Sequence, residues 1–119
     1  MPRRLIALCA AGAALAVAAP AVAGSTPSRK IDVGDNFFSR ERLTVDRNTR
    51  LVFRWQAENI VPHDVALDSG PRGVTKWNSP VRTKDYTYRR TLRKAGTYKI
   101  ICSLHPTQMR LTVRVRSGD

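Results

Sequence analysis

Along most of the chain, apolar and polar positions alternate with period two, the signature of half-buried strands. Ile31 and Val33 alternate with polar neighbours, as do Leu43 and Val45, and then Leu51, Phe53 and Trp55. His63, Val65 and Leu67 share one parity, and so do Tyr86 and Tyr88, and Tyr98, Ile100 and Cys102. The last run is the clearest. Met109, Leu111, Val113 and Val115 face one way, while Gln108, Arg110, Thr112 and Arg114 face the other. These runs are short and rich in β-branched and aromatic residues. Turn-forming segments separate them: Val33-Gly34-Asp35-Asn36, Asp46-Arg47-Asn48, Asp68-Ser69-Gly70-Pro71 and Lys94-Ala95-Gly96. No window of helical length carries an amphipathic stripe. The pattern predicts an all-β sandwich of about seven strands, with Cys102 ending one strand and Met109 beginning the next. Alternation weakens from Gly70 to Lys84, which contains Gly73, Asn78 and Pro80; a long connection with a short strand or helical turn is expected there.

The first residues read differently. Met1-Pro2-Arg3-Arg4 is a short basic start, and Leu5 to Ala19 carries no charge and only Cys9 as a reactive side chain. Ala21-Val22-Ala23 offers small residues where a signal peptidase reads, so residues 1–23 are expected to be an export signal cleaved after Ala23. The rival reading is an uncleaved anchor. Against it, the run is mostly alanine, is broken by Pro20, and barely reaches the roughly 20 apolar residues of a span. Residues 24–28 then form a small polar leader, and 29–119 a single domain. The resulting protein would be periplasmic or secreted, with no membrane span after cleavage.

Cleavage removes one of the two cysteines, Cys9, and leaves Cys102 alone in a compartment where cysteines are usually bridged. A lone thiol there is a hazard unless something occupies it. The formal charge of +12 comes from arginines and lysines scattered through the chain, several of them (Arg110, Arg114, Arg116) at alternate strand positions. No nucleic-acid-binding module accompanies them. The charge is that of a strongly cationic surface, which also suits an acidic partner.

The candidate chemistry lies in four residues. His63, Cys102, His105 and Met109 are the soft or borderline metal donors left after cleavage, and three of them fall in Cys102-Ser103-Leu104-His105-Pro106-Thr107-Gln108-Met109. Cys102 and Met109 both lie on core-facing parity. His105 sits in the turn between them beside Pro106, and one loop can therefore aim three side chains at one point. Two imidazoles and a thiolate with a weak thioether form the blue-copper donor set. Structural zinc would want a fourth strong ligand, and iron–sulfur clusters need more cysteines. A Cys–His nucleophile is conceivable but has no evident substrate cleft. Gln108 is the alternative axial ligand, with the opposite parity. Trp55, Tyr86, Tyr88 and Tyr98 read as core residues rather than electron relays.

The stretch Gly96-Thr97-Tyr98-Lys99-Ile100-Ile101-Cys102-Ser103-Leu104-His105-Pro106, followed by Met109, resembles the copper loop of the cupredoxins, the family of plastocyanin, amicyanin and pseudoazurin. Phe53-Arg54-Trp55, then Asn59 and Pro62-His63-Asp64-Val65, resembles that family's first-histidine segment. Asn36-Phe37-Phe38 and Leu43-Thr44-Val45 fit its N-terminal strands. The resemblance implies a Greek-key β-sandwich binding one type 1 copper ion, which cycles between Cu(I) and Cu(II) and carries single electrons. His63 and His105 would be the imidazole ligands, Cys102 the thiolate and Met109 the axial ligand. His105 would be the solvent-side edge, with Val61, Pro62, Leu104 and Pro106 as an apolar docking patch around it.

Three features depart from commoner members: the four-residue step from His105 to Met109, Leu104 where proline is frequent, and Asp64 where asparagine is common. Asp64 is expected to accept a hydrogen bond from Ser103 while its own N–H points at the Cys102 sulfur. The expected function is electron transfer as a monomer, not an enzyme activity, with an acidic cytochrome or copper/redox enzyme as partner. The alternative is copper storage, delivery or stress tolerance. Methionine- or histidine-rich tracts would favour that role, and none is present. A metal-free cationic sandwich with an incidental Cys102 is a third reading.

Overall fold

The computed structural model describes residues 26–118, together with Gly12. Apart from Gly12, the expected export signal lies outside the described residues, and so does its cleavage point. Eight strands follow in order: β1 (Ser28–Gly34), β2 (Phe37–Phe38), β3 (Arg42–Asp46), β4 (Thr49–Trp55), β5 (Ala66–Ser69), β6 (Thr87–Leu92), β7 (Gly96–Ile101) and β8 (Arg110–Arg116). They form two four-stranded sheets, ordered β2-β1-β4-β6 and β3-β8-β7-β5. β1 runs parallel to β4 and β3 parallel to β8, while the other pairs are antiparallel. No described residue is helical, and no helix is long and apolar enough to cross a membrane. The sheets face each other as an all-β sandwich.

The alternation explains the packing. Ile31, Val33, Leu51, Phe53 and Trp55 from one sheet meet Leu43, Val45, Tyr98, Ile100, Leu111, Val113 and Val115 from the other, all buried. Each such side chain withdrawn from water contributes roughly 1.5–3 kcal/mol, which is what holds two sheets together. β6 is an edge strand, and its inward position opposite Leu51 is Arg90. The guanidinium lies over the rings of Trp77 and Tyr88, 5.4 and 5.1 Å from their centroids, and Nε donates to the Tyr88 hydroxyl at 2.7 Å. An inward charge of this kind closes the open side of the sandwich and discourages edge-to-edge pairing.

Seven of the strands match the expected runs, and the eighth, β2, is a two-residue strand that closes a hairpin on β1. The pairs Gly34↔Phe37 and Val33↔Phe38 leave Asp35 and Asn36 as the turn. Asn36 adopts φ 66°, a left-handed conformation that asparagine tolerates. The Phe37 ring covers Gly34 so closely that any side chain there would run into it.

Several strand ends differ from expectation by a residue or more. Cys102 lies just past β7 and Met109 just before β8; Cys102 N–H still bonds Met109 C=O at 3.1 Å, but the chain between them is turn. His63 and Val65 precede β5, and Tyr86 precedes β6. The connection from Gly70 to Lys84 contains neither a named strand nor a helix. Asn78 bridges Ala66, and Arg82 bridges His63. Ser28, at the end of the expected leader, opens β1 by pairing with Arg50.

Candidate metal centre

Three donor atoms converge at one end of the sandwich. His63 Nδ1 and His105 Nδ1 are 3.3 Å apart, and Cys102 Sγ is 3.6 Å from His105 Nδ1. The ligand atoms of His63, Cys102 and His105 all lie within 4.8 Å of one another. An ion bound about 2.0–2.3 Å from nitrogen and sulfur donors spans separations of this size, so the cluster fits a single metal. His63, Cys102 and Met109 are fully buried, whereas His105 is half-buried and Gln108 is exposed.

The turn after β7 holds its own donors in place. His105 N–H bonds Cys102 C=O at 3.1 Å, and Gln108 and Met109 N–H both bond His105 C=O, at 3.3 and 3.0 Å. His105 is thus wound into a tight turn between Cys102 and Met109, with its ring at the surface. Burial pushes the Cys102 thiol above its ordinary value, and the nearby Asp64 charge adds to the rise; backbone N–H groups of Asp64, Leu104 and His105 oppose it by favouring the thiolate. The sulfur therefore sits among oriented donors that would stabilise its charge once a cation is bound.

His63 is held on every side. Its N–H bonds Arg82 C=O, and its C=O accepts from Arg82 N–H, both at 2.9 Å. The same carbonyl accepts from the Trp55 indole at 3.1 Å. On the ring, Nε2 lies 2.9 Å from Asp35 Oδ1, which leaves Nδ1 facing His105. Asp35 also accepts N–H bonds from Ile60 at 3.0 Å and Val61 at 3.1 Å. The bond from His63, followed by that from Ile60, holds the Asp35 carboxyl below its usual value.

Asp64 accepts the Ser103 N–H at 2.6 Å on one oxygen and the Ser103 hydroxyl on the other. It thereby ties the His63 segment to the Cys102 loop. Of the residues expected around His105, Pro62, Leu104 and Pro106 are exposed and Val61 is half-buried. Ile60, 84% exposed, and Val81, 51% exposed, are further apolar groups on segments bonded to the site. Asp35 and Arg82 were not among the expected site residues. Asp35 stood out only as part of the Gly34-Asp35-Asn36 turn, and Arg82 only as one cation among many.

Comparison with known proteins places this geometry. The profile of the copper-binding proteins of the plastocyanin/azurin family matches residues 26–116. Amicyanin from Paracoccus versutus is 29% identical over 87 residues, which are 73% of this chain and 66% of that protein, slightly under two thirds of its length. Among solved structures, an amicyanin variant with Cu(I) superposes with a TM-score of 0.64 at 25% identity, covering 77% of this chain and 85% of that one. A reduced amicyanin variant gives 0.65 with the same identity and coverage. His63, Cys102, His105 and Met109 are arranged as a type 1 copper site.

Proposed function

The chain belongs to the plastocyanin/azurin family of copper-binding proteins, and on that premise we propose that it is an exported, monomeric carrier of single electrons rather than an enzyme. The observation that carries this reading is the convergence of His63 Nδ1, His105 Nδ1 and Cys102 Sγ beside the buried Met109. Bound copper supplies the one-electron chemistry, alternating between Cu(I) and Cu(II). The chain's own residues do the rest. Cys102 and the two imidazoles would be the copper's strong donors, and Met109 the weak one. A pocket fixed before metal arrives needs little rearrangement when charge changes, and the hydrogen bonds on His63 and within the Cys102 turn provide that rigidity.

His105 is the half-buried ligand and so the edge through which electrons pass. Pro62, Leu104 and Pro106 around it, with Ile60 and Val81 beyond, present an apolar face to a partner. Loss of Arg3 and Arg4 with the export signal lowers the formal charge from +12 to about +10, which still favours an acidic one, an anionic cytochrome or a copper/redox enzyme. With two histidines in the whole sequence, the chain lacks the imidazoles that a multi-copper oxidase cluster requires. The hydrogen bonds from Ser103 to Asp64 make that carboxylate a tuning group for the site.

The test is a visible spectrum during Cu(II) titration, beside a Cys102→Ser variant. An intense thiolate-to-copper band saturating at one equivalent, and absent from the variant, is expected. A colourless protein with weak binding would remove the redox reading.

A further inference from the structure

Asp35 belongs to neither segment that carries the ligands, yet its carboxylate makes three contacts at the first-ligand segment. It sits in the two-residue turn between β1 and β2, where Asn36 takes up the left-handed conformation and the Phe37 ring closes over Gly34. Across 25 to 28 positions of sequence, Oδ1 reaches His63 Nε2 at 2.9 Å and Val61 N–H at 3.1 Å, and Oδ2 takes Ile60 N–H at 3.0 Å. His63 itself is fully buried, whereas the Asp35 side chain keeps 29% exposure. The hairpin turn therefore braces the loop before His63 and the ring itself with one group.

We propose that Asp35 is a positioning residue for the metal centre, whose carboxylate holds the proton of His63 on Nε2 and so presents a bare Nδ1 lone pair to the ion. This rests on the copper reading above. A neutral imidazole has one N–H and one lone pair, and the partner of one nitrogen decides the state of the other. A carboxylate acceptor on the outer nitrogen also makes the ring a stronger donor and keeps it from turning. His105, half-exposed, has no carboxylate contact among the described residues. The two imidazoles thus differ in kind: His63 is locked by the fold, and His105 is the exchangeable surface edge.

The experiment compares wild type with Asp35→Ala and Asp35→Asn. In the metal-free protein, nitrogen NMR is recorded about two pH units above the ordinary imidazole value of about 6.5. It should show wild-type His63 as a single Nε2–H tautomer. In Asp35→Ala the tautomers should mix, and Cu(II) affinity should fall by about 10–100-fold, the usual cost of removing such a partner. A single Nε2–H tautomer in Asp35→Ala overturns the proposal, because a turn that merely braced Ile60 and Val61 would lower stability without changing the tautomer. Should Asp35→Ala fail to fold, Asp35→Asn decides. It keeps an oxygen acceptor but removes the charge, so its reduction potential should lie above wild type, and an unchanged potential overturns the assignment. If the wild-type protein takes up no copper, the copper reading fails, while the tautomer comparison still decides what Asp35 does to His63.

Discussion

Asp64 and Ser103 stand 39 positions apart, and both hydrogen-bond donors of Ser103, its N–H and its hydroxyl, are directed at the Asp64 carboxylate. Each residue is adjacent to a ligand, His63 in one case and Cys102 in the other, so the pair clasps the two halves of the site together. The carboxylate also places negative charge near the sulfur, where it raises the thiol's pKa. Charge of that sign favours the more positive metal ion. Asp64→Asn should therefore raise the reduction potential while leaving an acceptor for Ser103. Asp64→Ala should in addition destabilise the fold by about 1.5–3 kcal/mol, the range for hydrogen bonds to a charged group. Voltammetry on Asp64→Asn checks the first point, and a potential equal to wild type would sink it.

Met109 and Cys102 are equally buried, but their loss should have different consequences. In a trigonal site the thiolate supplies a strong bond and the blue colour, whereas the thioether is a weak fourth contact. Met109→Leu keeps the volume and removes the sulfur. Copper should stay bound and coloured, with a raised potential, since the oxidised ion loses an electron donor. Met109→Ala should also lose about 2–5 kcal/mol of stability from the cavity it leaves. Spectra and voltammetry of both variants beside Cys102→Ser provide the check; loss of colour in Met109→Leu would mean that the axial role is wrong.

The readable parts of this protein were those with a local period or a rare residue type. Alternation in Leu51-Val52-Phe53-Arg54-Trp55 and in Leu111 to Val115 marks strands because one face must be apolar. β2 is too short to show a period, and Arg90 hides the inward face of β6 because its charge is covered by the rings of Trp77 and Tyr88. The donors were visible because the chain contains two histidines, both at this site. Asp35 was not, since Asp-Asn is ordinary turn chemistry and its bond to His63 depends on how β1 lies beside β4. Contacts of that kind arise only once the sheets are assembled.

Tyr98 offers a test of the core away from the metal. It is buried, and its hydroxyl donates to Lys94 C=O at 2.6 Å. Burial raises its pKa above the ordinary value, because the ionised phenol would be stranded away from water. The sign follows from linkage: the folded state disfavours the ionised form, so the stabilisation is complete below about pH 10 and is lost as pH rises through the folded-state pKa. Tyr98→Phe should cost about 0.5–1.5 kcal/mol at neutral pH through the lost hydrogen bond. It should also flatten the alkaline decline in stability. Urea unfolding at neutral pH and just above pH 10 measures both, and an equal decline in the two proteins would show that Tyr98 is not the group responsible.

The surface around His105 combines two forces that act at different distances. On the proposed function, the net charge of about +10 left after loss of Arg3 and Arg4 would draw an anionic partner from afar, and salt would weaken that pull because charges are screened beyond about 10 Å at 0.1 M. Ile60 and Leu104, 84% and 48% exposed, would act only once the surfaces touch. Electron exchange with an acidic redox partner should therefore slow as ionic strength rises, whereas the copper spectrum stays constant. Ile60→Ala and Leu104→Ala should each weaken the complex by about 1–2 kcal/mol, or roughly 5–30-fold, if they are central contacts. Their salt dependence should match wild type, because no charge has changed. Stopped-flow measurement of association across a salt series separates these contributions. A rate insensitive to salt would remove the acidic partner, and unchanged affinity in both variants would move the docking face away from His105.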